Sequence, residues 1–106
     1  MLKILVVDDE KQARDNMIHC INVATNGFEI IGAAADGSEA LEMIRQTQPD
    51  IVLIDIQMPG ISGLDVIAEA RKEDLPVTFI IISSYSEFSF AQEAIRLGVF
   101  EYLLKP

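Results

Sequence analysis

Cysteine occurs once in the 106 residues, so no internal disulfide can form. That usage fits a reducing compartment. Cys20 itself falls in an apolar helical pattern, where a small core residue is expected rather than a reactive thiol. Basic residues are also scarce: 8 Lys and Arg stand against 17 Asp and Glu, for a net charge of -9. A nucleic-acid surface needs clustered Lys and Arg, so this chain is not expected to present one. For most of the carboxylates, solubility is explanation enough. No apolar run approaches the ~18 residues of a membrane span. The first such run, Ile4 to Val7, is too short for a signal peptide and ends in three acidic residues. The expectation is a soluble cytoplasmic protein with no membrane partner. There is no Cys and His cluster for zinc, and the single His19 reads as a surface or packing residue. Repeats, linkers and low-complexity segments are absent. The length suggests one domain, and 50% hydrophobic residues suffice for a core, near the small end for a doubly covered sheet.

What is present is alternation. Ile4 to Val7 is continuous and β-branched-rich, as in a strand covered on both faces. Lys11 to Val23 reads as a helix with Ala13, Met17, Cys20 and Ile21 on one face. Asn26-Gly27 marks a turn, and Phe28 to Ala34 a second strand. A second helix opens at Gly37 or Ser38, turns Ala40, Leu41 and Ile44 inward, and stops before Pro49. Ile51 to Ile54 reads as a fully buried third strand. After the loop Met58-Pro59-Gly60, Ser62 and Asp65 resemble a capping box, with Leu64, Ile67 and Ala68 as the apolar face of a third helix. Val77 to Ile82 is a fourth strand. Ser86 can cap a fourth helix, with Phe88, Ala91, Ala94 and Ile95 inward and Gly98 at its end. Val99 to Leu104 completes five strands. Strict β-α alternation predicts an α/β fold with a parallel sheet and right-handed crossovers.

Ligands of an open parallel sheet bind at the carboxyl ends of its strands. Those ends carry Asp8, Asp9 and Glu10, then Asp55, then Ser83 and Ser84, then Lys105. Each has an ordinary explanation. The acids at 8 to 10 can favour a helix N-terminus, Asp55 can cap a turn, Ser83 can bond to backbone, and Lys105 can be a solvated surface residue. Their conjunction argues otherwise, because separate strands deliver complementary groups to one edge. Two carboxylates 4 Å apart repel by roughly 4 kcal/mol at an effective dielectric of 20. Lys105 offsets one charge, and a divalent ion would bring three carboxylates and an ammonium to zero. All-oxygen ligation suits Mg²⁺. A metal beside a carboxylate and a lysine suits phosphoryl transfer, with the carboxylate as nucleophile, the cations on the equatorial oxygens, and the Ser83 hydroxyl as donor.

Asp8-Asp9-Glu10, Asp55 in Asp-Ile-Gln-Met-Pro-Gly, Ser83 and Lys105-Pro106 together resemble the response-regulator receiver family, over the whole chain. The resemblance implies a flavodoxin-like (CheY-like) doubly wound five-stranded sheet, order 2-1-3-4-5. It implies that Asp55 takes phosphate from a sensor histidine kinase in a two-component system. It implies Mg²⁺ held by Asp9, Asp55 and the Gln57 backbone carbonyl, with Asp8 acting through water. It also implies a switch in which Ser83 is drawn to the phosphate and Tyr102 turns inward; an ordinary strand aromatic is the alternative for Tyr102. Ser84 to Phe88 and the ending Gly98 to Pro106 resemble regulators with an AraC-type DNA-binding effector, so DNA is a partner only through a domain outside this chain. Lys105-Pro106 is a peptide at which the cis form is accessible. Ser83 stands where Thr is commoner, and the side chain of Gln57 is expected to tune hydrolysis.

The family's fifth helix is missing after Pro106. The expectation is therefore a receiver domain over residues 1–106, cut before that helix, with apolar surface that could pair two copies. A haloacid-dehalogenase-type phosphatase would need an acid at position 57, which is Gln. No P-loop or Gly-x-Gly-x-x-Gly pattern occurs. A pseudo-receiver interaction module usually lacks a key residue, and none is lacking here.

Overall fold

The computed structural model describes residues 1–24, 27–84 and 88–105. The elements run β1 (Leu2–Val7), α1 (Lys11–Ala24), β2 (Phe28–Ala34), α2 (Gly37–Thr47), β3 (Ile51–Ile54), α3 (Gly63–Lys72), β4 (Thr78–Ser83), α4 (Phe88–Arg96) and β5 (Glu101–Leu104). All strand pairs are parallel, in the order β2-β1-β3-β4-β5. The expected flavodoxin-like α/β sheet is thus the observed one. Asn26, the Ser86 cap and the Lys105–Pro106 peptide lie outside the described residues.

Alternation along the strands divides the sheet into two unequal faces. Leu5, Val7, Val52, Ile54, Phe79 and Ile81 point one way and are buried with Ala40, Leu41 and Ile44 of α2, Val66, Ile67 and Ala70 of α3, and Ala94 of α4. On the other face α1 lies over β1 and β2, where Ile4 and Val6 are buried. Cover then thins toward β5. Ile51, Leu53, Ile80 and Ile82 are half-buried, and Leu103 is 46% exposed. β3 is therefore buried on one side only, not on both as expected. A groove of about 470 Å³ separates Ala13, Met17, Cys20 and Ile21 of α1 from Leu53 and Ile82 and ends at Lys105.

That open side explains one correction. Cys20 is on the predicted α1 face, but it is exposed rather than core because it lines a groove that no described residue closes. Two further residues leave the predicted core. The buried stripe of α3 runs Gly63, Val66, Ile67, Ala70, so Ala68 points to solvent and Leu64 is half-buried. Among the described side chains of α4, Ala94 is buried and Phe90 packs half-buried against the core, while Ile95 is 78% exposed. The apolar period located each helix, but its inward direction came out about one residue off. Strand limits moved slightly too: β4 runs one residue later than expected, and β5 begins at Glu101, just after Phe100 N–H bonds to Phe79 C=O.

Local chemistry sets the helix ends. Asp36 caps α2 by accepting from Glu39 N–H at 2.8 Å, and Glu39 accepts in return from Ala35 N–H. Ser62 and Asp65 form the expected capping box on α3. Gly98, at φ +70°, ends α4 with Gly98 N–H on Ile95 C=O and Val99 N–H on Ala94 C=O, the bond pair of a Schellman close. Arg71 then clamps this end. Its guanidinium donates to the carbonyls of Leu97 (3.0 Å), Gly98 (3.2 Å) and Val77 (2.9 Å) and lies 5.2 Å from the Phe79 ring centre. Hydrogen bonds to a charged group contribute more than neutral ones, so Arg71→Ala should cost about 2 kcal/mol. A lower urea midpoint at unchanged slope would report it; an unmoved midpoint would mean that water replaces the clamp without loss.

Candidate functional site

The sheet delivers its polar residues to one rim. β1 ends at Val7 and β3 at Ile54, paired in register, so Asp8 and Asp55 leave adjacent strands side by side. Two backbone bonds hold them there: Asp8 N–H to Ala34 C=O and Asp55 N–H to Val7 C=O, both 3.1 Å. Both residues are buried, Asp8 at 0% exposure and Asp55 at 6%. Asp9 is exposed beside them.

β5 carries Lys105 to the same place. Its backbone N–H bonds to Ser83 C=O at 2.8 Å. Its Nζ donates to Asp8 Oδ2 at 2.8 Å and to Asp55 Oδ2 at 2.9 Å. One ammonium therefore bridges two carboxylates separated by 47 positions in the chain. The other oxygens are also engaged: Asp8 Oδ1 accepts from Glu10 N–H at 3.0 Å, and Asp55 Oδ1 from Gln57 N–H at 3.3 Å. Ser83 is buried at the end of β4. Tyr102, in register with Ile81, is half-buried and packs against the core.

Burial, the largest influence on Asp55, pushes its carboxyl above the ordinary value. Hydrogen bonding and charge from Lys105 pull it down, the charge of Asp8 pushes it up, and Gln57 N–H pulls it down, leaving it raised. Burial also weighs most heavily on Lys105, here downward. The hydrogen bonds and charges of Asp8 and Asp55 together outweigh it, so the amine is raised. An isolated ion pair would lower its acid and raise its base. Here the base is stabilised as a cation while the acid remains poorly compensated, as expected when one ammonium serves two buried carboxylates.

This deficit of positive charge makes the site fit a small hard cation. Asp8, Asp9 and Asp55 each offer a carboxylate oxygen, and those atoms lie within 4.8 Å of one another. An all-oxygen set matches Mg²⁺, which retains several waters. Among the described residues this is the group of potential ligands that the fold assembles. His19, alone and exposed on α1, takes no part.

Two supporting residues escaped the sequence reading. Gly63 opens α3 directly against the segment that follows β3. Its N–H bonds to Ile56 C=O at 2.8 Å, and a Cβ there would land on the Asp55 carbonyl oxygen, far inside van der Waals contact. Arg14 reaches back from α1 to donate from Nη1 to the Asp8 carbonyl at 2.8 Å. Both act on backbone atoms, so neither belongs to a set of complementary side chains that a sequence scan would find.

Comparison with known proteins places this geometry in context. Residues 4–106 match the family model described as response regulator receiver domain. Over all 106 residues the chain is 43% identical to the uncharacterized transcriptional regulatory protein YesN of Bacillus subtilis, and it spans 29% of that protein's length. Among solved structures, the REC domain of AraT, a response regulator from Geobacillus stearothermophilus, superposes with a TM-score of 0.87 at 42% identity, covering 99% of this chain and 81% of that one. CheY in a CheX-CheY-BeF3-Mg complex from Borrelia burgdorferi gives 0.91 at 27% identity, covering 99% and 78%.

Proposed function

Because the chain belongs to the response regulator receiver domain family, we propose that Asp55 accepts a phosphoryl group from the phosphohistidine of a sensor histidine kinase. Receiver domains are signalling modules of two-component systems rather than metabolic enzymes. The observation that carries the assignment is the Lys105 ammonium bridging Asp8 and Asp55 with Asp9 alongside. A carboxylate oxygen of Asp55 attacks phosphorus, the P–N bond breaks with its electrons passing to the histidine nitrogen, and an acyl phosphate remains on Asp55. Lys105 puts positive charge beside the transferring oxygens. Ser83, buried at the end of β4, donates its hydroxyl to one of them.

Asp8, Asp9, Asp55 and the Gln57 carbonyl would hold Mg²⁺, Asp8 through water. When bound, the ion offsets the carboxylate and phosphoryl charges that Lys105 alone leaves uncompensated. Its presence in the similar Borrelia complex supports this choice. With acetyl phosphate and Mg²⁺ the protein should gain one phosphoryl group by intact mass, and with EDTA none. Equal labelling under both conditions would remove the metal from the account.

The output follows the same reading. Phosphorylation draws the Ser83 hydroxyl to the phosphoryl group, Tyr102 turns inward, and the face of α4 and β5 changes its partners. Ile95 and Phe100 already stand 78% and 73% exposed on α4 and the turn after it. The relative YesN is called a transcriptional regulatory protein, which supports a DNA-binding effector beyond residues 1–106. Resemblance in the sequence favours the AraC type. Pairing of two copies across the thinly covered strip from Ile80 to Leu103 belongs to this reading too. No helix among the described residues is long and apolar enough to cross a membrane, and action in the cytoplasm is part of the proposal.

A further inference from the structure

We propose that Arg14 is a positioning residue that sets the direction of Asp9 as a ligand for the divalent cation. The inference rests on the reading of the rim as a phosphoacceptor site.

Asp8 is held at every polar group. Its N–H is on Ala34 C=O, Oδ1 takes Glu10 N–H, Oδ2 takes Lys105 Nζ, and its carbonyl takes Arg14 Nη1 at 2.8 Å. The first three bonds fix the carboxylate and the strand. The fourth acts elsewhere. The Asp8 carbonyl belongs to the peptide group that joins Asp8 to Asp9, and that group is a rigid plane. Fixing its oxygen fixes the orientation of the plane, and with it the start of the Asp9 backbone and the direction of the Asp9 Cβ. Asp9 needs such help because its side chain is exposed, yet one of its oxygens must stay within 4.8 Å of those of Asp8 and Asp55.

Arg14 is well placed for the task. It sits one turn into α1, with its own N–H on Glu10 C=O, and its side chain folds back over the loop that starts the helix. Among the described residues the guanidinium donates to a neutral carbonyl rather than to a carboxylate. This separates two roles by sign. A cation that acted only through its charge would repel Mg²⁺, and its removal would tighten metal binding. A cation that orients a ligand would, on removal, loosen it. Losing a group that orients a metal ligand typically costs 10–100-fold in affinity.

The test is a double-mutant cycle on the unphosphorylated protein, read as the Mg²⁺ dissociation constant by calorimetry, with the metal-free melting temperature measured alongside. Arg14→Met should weaken Mg²⁺ about tenfold and leave the metal-free melting temperature near that of wild type, since the side chain is half-exposed. In an Asp9→Asn background the same change should have little further effect, because the residue it serves is already lost as a ligand. Arg14→Gln, which keeps a donor on a shorter arm, gives the same readout should the Met variant fold poorly. Unchanged or tighter Mg²⁺ binding in both Arg14 variants would overturn the proposal. So would full additivity with Asp9→Asn, which would mean that Arg14 acts on the whole site rather than through Asp9. Wild-type protein that binds no Mg²⁺ would overturn the phosphoacceptor reading itself, and this inference with it.

Discussion

Asp55→Asn should fall to background in phosphoryl labelling while melting above wild type in EDTA at neutral pH. The two effects have one origin. The Asp55 carboxylate is the nucleophile, and an amide at the same position can form no acyl phosphate, so labelling is lost rather than slowed. The same carboxylate is buried at 6% exposure and shares one ammonium with Asp8. Burial raises its titration above the ordinary range. A carboxyl raised by folding stabilises the fold at pH values below its unfolded value and withdraws that stabilisation as pH rises through its folded value. Metal-free wild type should therefore lose stability across that acid window, and Asp55→Asn should not. Mg²⁺ reverses the order, because it binds the ionised cluster of the folded protein and stabilises it by mass action, by about 2.7 kcal/mol at a hundred times its dissociation constant. Wild type should rise with Mg²⁺, and the variant much less. A variant that labels fully, or that responds to Mg²⁺ as wild type does, would move the acceptor elsewhere.

Lys105→Met carries the second large effect. Removing one partner of a buried pair leaves an uncompensated charge and costs about 3–5 kcal/mol. The lower end applies, since Lys105 is 20% exposed at its side chain and Asp55 can take up a proton. The loss has its own pH signature. The Lys105 amine titrates above its ordinary value, so its contribution is complete below the unfolded lysine value and disappears as pH rises through the folded one. The variant should lack that alkaline decline. Phosphoryl transfer should slow by about 100-fold, the usual scale for removing one preorganised charge from a developing anion. Mg²⁺ binding should tighten, because the ion then faces three carboxylates with no competing cation. Stability, rate and affinity thus move in different directions, and denaturant titration, acetyl phosphate kinetics and calorimetry read each separately. Weaker Mg²⁺ binding would mean that Lys105 organises the carboxylates more than it neutralises them.

The sequence disclosed the parts of this fold that follow from period and position. Alternating β-branched runs and 3.6-residue stripes give the order of elements, and parallel strands then send Asp8, Asp55, Ser83 and Lys105 to one rim. The capping box at Ser62 and the close at Gly98 were equally plain, because turn chemistry is local. What period cannot supply is the far side of a contact. Cys20 lies on the apolar face of α1, yet whether it is buried depends on what covers β3 to β5, and the groove there is open. Ile95 and Ala68 sit at the margin of their stripes, where a rotation of one residue decides between core and solvent. Arg14, Gly63 and Arg71 are the harder cases. Each matters through backbone carbonyls, those of Asp8, of Asp55, and of Leu97 and Gly98, and a carbonyl leaves no mark in the residue names. Only the folded chain shows that position 63 has no room for a Cβ.

The most direct test is to locate the phosphoryl group. Wild-type protein treated with acetyl phosphate and Mg²⁺ should be reduced with borohydride, which converts an acyl phosphate to the alcohol, then digested and sequenced by mass spectrometry. Homoserine should replace aspartate at position 55 and at no other carboxylate. Modification at Asp8 or Asp9 with Asp55 intact, or a phosphoryl group carried by His19 or a hydroxyl, would contradict it.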